Sequence, residues 1–332
     1  MRLTTTIACL VLSAVPAAAQ QASIKEWTVP YEKSRPRDPA VVGPREVWFV
    51  GQVGNYLARL DPVTGEFKRY ELEERALPHN VIVDREGHPW YAGNGNGHIG
   101  RLDPKTGKVT RYPMPDPAAR DPHTLIFDRA GNIWFTVQQG NFVGRLTPST
   151  GKIDLIKVPT SNARPYGIAI DSRGRPWFNE FGSDKIAMID PATLTIREYS
   201  LPNPKARGRR IAITSDDRIW YVDYTRGYLG RLDPTTGKID EWPMPEGPRS
   251  LPYGMTVDDQ DRLWFAETGV QPNKIVGFDP RTNRFFGSAD VPSGGGTVRY
   301  MVYNKASRAV WFGTDANTIG RALVPASSEA TP

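Results

Sequence analysis

Two Pro-His pairs, Pro78-His79 and Pro122-His123, stand 44 residues apart, and Asp121 precedes the second. Imidazole titrates near neutrality, so His123 is a candidate general base. His79 is a candidate second polar group, and Asp121 could orient the imidazole or bind a metal. Further along the chain, Tyr166, Arg209, Tyr253 and Arg299 recur at similar steps, with Arg249 just upstream of Tyr253. These are candidate substrate-binding groups. Three carboxylates, Glu180, Asp223 and Glu267, follow one another at 43 and 44 residues. Acids converging from neighbouring repeats would hold a hard divalent cation through oxygen, which makes them candidate metal ligands. Each group also has a structural reading: a wet channel mouth carries polar residues, and a repeated Pro-His can be a turn.

The spacing of these residues is the spacing of a larger repeat. Trp48, Trp90, Trp134, Trp177, Trp220, Trp264 and Trp311 are each followed by Phe or Tyr, at steps of 42 to 47 residues. A period of this size marks a propeller or a solenoid. Within the unit starting at Pro165, four short runs rich in Ile, Tyr, Phe and Trp alternate with turn residues, the pattern of four strands. Asp-x-x-Gly turns (Asp84 to Gly87, Asp128 to Gly131, Asp171 to Gly174) join the first and second strands. Asp-Pro-x-Thr-Gly turns (Asp61 to Gly65, Asp103 to Gly107, Asp233 to Gly237) join the third and fourth. Asn283 stands where the sixth unit would have that Gly, and Asn tolerates the same left-handed conformation.

The expected fold is therefore an all-β, seven-bladed β-propeller of four-stranded blades. The last unit stops after its third strand, at Ile319 to Leu323. The segment Ile24 to Pro30 has the form of a fourth strand and is expected to complete that blade, closing the ring. In this topology the residues heading each first strand and those three places after each Trp share one face. That brings the histidines, the Arg and Tyr residues and the carboxylates to a common channel mouth. His88 and His98 read as structural, the Trp residues as interblade core, and Asp258, Asp259 and Asp261 as a turn.

Residues 1–19 read as a cleaved secretory signal: Arg2, an apolar run from Ile7 to Val15, then Ala17 to Ala19. The run is too short to span a membrane. The single Cys9 lies inside the leader, so the mature chain is expected to have no thiol chemistry. Residues 20–325 read as one propeller domain, and 326–332 as a disordered tail. The periplasm or the exterior is the expected location. Net charge is +6, and the densest basic run, Lys205 to Arg210, reads as a solvated loop because no aromatics are interleaved. The expected partner is a small-molecule ligand or a periplasmic protein. Nucleic acid, membrane insertion and an organic cofactor are not expected, and the chain reads as a monomer.

The unit Pro-x-Gly-Ile-x-x-Asp-x-x-Gly-x-x-Trp-Phe is best matched by Pro165 to Phe178 and, with Met255 in place of Ile and Asp261 in place of the second Gly, by Pro252 to Phe265. With Ile99 to Leu102 and Leu229 to Leu232, it resembles the virginiamycin B lyase (streptogramin lyase) family of seven-bladed propellers. The resemblance covers nearly the whole mature chain. It implies opening of a cyclic depsipeptide at its ester by elimination, with Mg²⁺. The implied active set is a His at one blade, Glu-Pro-His at the next, and a Glu after the following strand. By blade order the Glu-Pro-His position falls at Leu251-Pro252-Tyr253, and Glu267 fits the later Glu. By residue type the better match is His79 followed by Asp121-Pro122-His123, with Gln138 or Val137 at the later Glu. Two readings follow. One is a Mg²⁺-assisted carbon–oxygen lyase. The other is a non-enzymatic propeller whose rim Arg and Tyr residues hold a ligand.

Overall fold

The computed structural model describes residues 22–325. The leader at 1–19 and the tail at 326–332 lie outside the described residues. Seven antiparallel sheets of four strands each follow one another along the chain. Their inner strands are Pro36–Gly43, Pro78–Val83, Pro122–Phe127, Pro165–Ile170, Gly208–Ile213, Pro252–Val257 and Val298–Asn304. Each inner strand lies against the next, and the last lies against the first, so the sheets form a closed ring. Among the described residues the helical pieces are two short 3₁₀ turns, Pro117–Ala119 and Gly247–Arg249, and no helix is long and apolar enough to cross a membrane.

The repeated Trp owes its place to the turn before it. Asp171 Oδ1 accepts the amides of Arg173 and Arg175, which fixes the hairpin, while its Oδ2 accepts the Trp177 indole N–H at 2.9 Å. Asp84 with Trp90 and Asp258 with Trp264 repeat this bond at 2.8 and 2.9 Å. The indole polar atom is thus satisfied at the blade edge while the ring is buried. Seven apolar clusters fill the space around the ring, and each joins residues of two neighbouring blades. The core therefore lies between blades, and no single blade can bury its faces alone.

The strand Ser23–Thr28 closes the ring as expected, pairing antiparallel with Thr318–Leu323 from Ser23↔Leu323 to Thr28↔Thr318. Trp27 stacks on Trp311 at 5.5 Å. Glu26 accepts the Ser293 amide and hydroxyl, each at 2.7 Å, which ties the closing strand to the sixth blade's outgoing loop. Asn283 is left-handed at φ 53°, as its place in the turn predicts.

Candidate functional site at the channel mouth

Each inner strand begins with a β-bulge. In the second blade, Pro78 faces Gly93 and Val81 faces Tyr91, so the inner strand carries one extra residue. The other blades repeat the irregularity at equivalent places. A bulge re-aims side chains. Where the second residue is not glycine, two successive side chains are thereby turned into the channel, where strict alternation would send only one; in the fourth and sixth blades that residue is Gly167 or Gly254. Four heads are further bent by a left-handed non-glycine residue just before the proline: Arg35, Leu77, Arg164 and Leu251.

The first residue of each pair gives a ring of Arg37, His79, His123, Tyr166, Arg209, Tyr253 and Arg299 around the channel. The His79 and His123 rings lie 3.5 Å apart between centroids, and His123 lies 4.2 Å from Tyr166. The Tyr166 and Tyr253 hydroxyls are hydrogen-bonded to each other. The Arg209 guanidinium sits 3.6 Å from the Tyr253 ring, 4.1 Å from Tyr224 and 4.7 Å from Phe181, a cation enclosed by aromatic faces. Arg299 pairs with Asp315.

The second residue of the pair forms the floor. Arg210 crosses the channel: Nη1 donates to Thr124 Oγ1 at 3.0 Å, Nε donates to the Arg299 carbonyl at 3.0 Å, and Nη2 lies 3.6 Å from Asp38 Oδ2. One guanidinium therefore ties the fifth blade to the third, seventh and first. Asp38 also accepts from Arg37 Nε and Asn80 Nδ2, each at 3.0 Å. Arg37, Arg209, Arg210 and Arg299 face two carboxylates, Asp38 and Asp315. Three of their nitrogens, Arg37 Nη2, Arg209 Nε and Arg210 Nη2, are buried without a hydrogen-bond partner.

This charge sets the acid–base character of the mouth. Burial first, then Arg37, the neighbouring His123 and Arg210, push His79 well below its ordinary pKa. Burial first, then Arg210, Arg37 and Arg209, do the same to His123. Both are neutral at physiological pH. His79 Nδ1 lies 3.1 Å from the His123 carbonyl, which can only accept, so that nitrogen carries the proton. His123 Nδ1 meets Thr124 Oγ1 at 2.8 Å. Tyr253 behaves in the opposite sense. Burial alone would raise it, but Arg209, Arg37, Arg210 and Arg299 together draw it down to about 8. Burial and the neighbouring Tyr253 raise Tyr166.

Not every candidate belongs to this cluster. Arg249 sits in the second 3₁₀ turn with its side chain in solvent, 3.8 Å from Glu246. Asp121 accepts the amides of Gln139 and Gly140 at 2.6 and 3.0 Å, capping a loop of its own blade. Glu180, Asp223 and Glu267 do stand opposite the first residue of their inner strands, facing Pro165, Gly208 and Pro252. Each is engaged within its own blade. Glu180 accepts from Ser183 Oγ at 2.7 Å. Asp223 accepts the Arg207 amide at 3.0 Å and Arg226 Nη1 at 3.1 Å. Glu267 accepts the Glu246 amide at 3.1 Å. Among the described residues these three do not bring their oxygens close enough to share one ion, so they do not form the common cation site that the spacing suggested.

Among the described residues, the set of His, Cys, Asp and Glu with ligand atoms close enough to share an ion is Asp84, Glu86 and His88. It lies in a turn at the opposite face. A groove of about 520 Å³ beside it, lined by Asp84, Trp90, Arg101 and Tyr112, shares no residue with the mouth. His98 is structural, with Nε2 2.7 Å from Glu73.

The basic run Lys205 to Arg210 is not a solvated loop throughout. Arg209 and Arg210 lie on the strand Gly208–Ile213 and point into the channel. Sequence reasoning also missed Arg37 and Asp38. Pro36-Arg37 is in frame with Pro78-His79, Pro122-His123, Pro165-Tyr166 and Pro252-Tyr253, and that frame was signal enough to find Arg37.

The Virginiamycin B lyase family profile matches residues 12–135 and 105–277, most of the chain. The chain belongs to the virginiamycin B lyase family. Streptogramin B lyase is 27% identical, with a TM-score of 0.81 over 91% of this chain and 97% of that chain. Selenomethionine-substituted virginiamycin B lyase from Staphylococcus aureus is 24% identical, with a TM-score of 0.83 over 92% of this chain and 100% of that chain. A catalytically inactive His-to-Ala variant of the S. aureus enzyme with quinupristin is 25% identical, with a TM-score of 0.83 over the same shares. No curated protein sequence matches the chain.

Proposed function

We propose that this family member is an exported, lyase-like propeller that breaks a carbon–oxygen bond by elimination at its channel mouth, with Tyr253 taking the proton. The observation that carries this reading is the setting of the Tyr253 hydroxyl, bonded to Tyr166 and placed in the field of Arg37, Arg209, Arg210 and Arg299. A phenol so placed is a base close to working pH. The buried, neutral histidines are weaker bases and serve here as polar walls.

The step balances simply. The Tyr253 phenolate takes the proton α to an acyl carbonyl. The C–H electron pair becomes the new carbon–carbon double bond. The β C–O bond breaks, and its oxygen leaves as a carboxylate. Guanidiniums at the mouth stabilise the charge that develops on the carbonyl oxygen. Glu180, Asp223 and Glu267 do not offer Mg²⁺ a common site, and no step here uses one. The leader pattern at 1–19 supports export to the periplasm or the exterior.

A second reading is capture of a ligand without turnover. It is favoured by the cover over the mouth, since Tyr253 is 1% and His123 2% exposed with Arg209 lying over the phenol. One experiment separates the two readings. The mature protein is incubated with quinupristin and with a panel of smaller O-acyl esters, and the products are weighed by mass spectrometry. A ring-opened or cleaved product formed without addition of water supports elimination. Intact esters throughout would remove the lyase reading and leave capture.

A further inference from the structure

We infer that the channel mouth is a metal-independent binding site for an oxyanion, a carboxylate or phosphate group carried by the ligand itself. The inference rests on the mouth being the working site, as proposed above, but not on Tyr253 acting as a base.

The charge at the mouth is unbalanced. Four guanidiniums converge on the mouth, and two carboxylates answer them. Arg35 adds a further cation, 3.8 Å from the same Asp315 that Arg299 uses. Arg37 and Arg210 are 4% and 2% exposed, so water cannot solvate them freely. These two guanidiniums share one carboxylate, Asp38, so one buried positive charge is left in excess, and a buried charge left in excess is costly unless an anion answers it. A phenolate at Tyr253 would answer only part of the excess.

Unmet hydrogen bonds point the same way. Arg37 Nη2 and Arg209 Nε are buried donors with no acceptor, and Arg210 Nη2 has only the 3.6 Å ion pair with Asp38 Oδ2, beyond hydrogen-bond distance. They come from the first and fifth blades and border the same Tyr166–Tyr253 pair. Planar guanidinium forks match the paired oxygens of carboxylate and phosphate. The same field repels a divalent cation, and the blade carboxylates are tied into their own loops. The positive charge that a metal ion would bring is therefore supplied by arginine. Arg209 supplies the way in: of the three it is the half-buried one, and it lies over Tyr253 without a hydrogen bond from Nε.

The test is isothermal titration of the mature protein with succinate, inorganic phosphate and neutral succinamide, at low ionic strength, with Mg²⁺ and with a chelator. The expected result is binding of at least one anion, none of succinamide, and no response to Mg²⁺ or chelator. Succinate alone would assign a carboxylate, and phosphate alone a phosphate ester. Arg209→Gln and Arg299→Gln, at the less buried rim, should each weaken binding about tenfold or more, the worth of one charge-assisted hydrogen bond. Bound anion should also raise the pH at which the most acidic tyrosine ionises. The inference is overturned if neither anion binds, if succinamide binds equally, if binding requires Mg²⁺, or if both variants bind as well as the parent. Ester turnover without anion binding would sink this inference and spare the elimination reading. Anion binding without turnover would do the reverse.

Discussion

Tyr166 and Tyr253, 87 positions apart and two blades apart, join their hydroxyls over a floor made by Arg210. The contact shows how a propeller builds a site. No blade holds it, and every blade sends one or two side chains to the same axis. Removing the Tyr253 hydroxyl leaves the fold intact and removes the proposed base. Tyr253→Phe should therefore lower turnover of any processed ester by about 10²–10⁴-fold with little change in melting temperature. Activity within a few-fold of the parent would take Tyr253 out of the chemistry.

Asp38 is one of two acids holding the guanidinium cluster, and it accepts from both Arg37 and Asn80. Asn tolerates its left-handed backbone, so Asp38→Asn removes charge with little change of shape. The expected loss is about 3–5 kcal/mol, the cost of leaving buried charge unanswered. Denaturant unfolding with and without phosphate checks it. The loss should shrink when phosphate is present, and an equal loss in both buffers would contradict the reading.

Much of this arrangement was legible from the residues. The Trp period and the turn aspartates set the seven blades, and the place heading each first strand marked His79, His123, Tyr166, Arg209, Tyr253 and Arg299 as one ring. The register even places Glu180, Asp223 and Glu267 at the height their distance from the Trp implied. Height on a blade does not reveal direction, however, and each of these acids turns to its own loop. Arg210 and Asp38 were hidden for a related reason. The residue after a rim position should face away from the channel by strand alternation, and only the bulge returns it. Arg249 was placed at the rim because it is near Tyr253 in sequence, but the 3₁₀ turn carries it outward.

Ring closure gives an independent prediction. Trp27 is 8% exposed and stacks on Trp311 across the seam between the chain's two ends. Trp27→Ala should cost about 3–5 kcal/mol and lower the melting temperature by roughly 10 °C. Calorimetry showing an unchanged transition would mean that the first strand does not hold the ring.

Glu180 gives a pH-dependent prediction. Burial, with help from Glu198, raises its carboxyl from 4.5 to about 7, and Oε1 has no partner. A raised folded pKa means full stability below about 4.5 and a loss as pH rises through about 7. Glu180→Gln should therefore be more stable than the parent at pH ~8, by ~1–3 kcal/mol, with the gap closing towards pH ~4.5. A gap that did not vary with pH would show that Glu180 is not ionising in the fold.

The most direct test of the account is the near-ultraviolet titration of tyrosinate in the parent and in Tyr253→Phe. If the arginines of the mouth act on Tyr253 as described, one of the 13 tyrosines ionises near pH 8, and that step is missing from the variant. Ionisation of every tyrosine only at or above the ordinary phenol range, with parent and variant alike, would contradict the central claim.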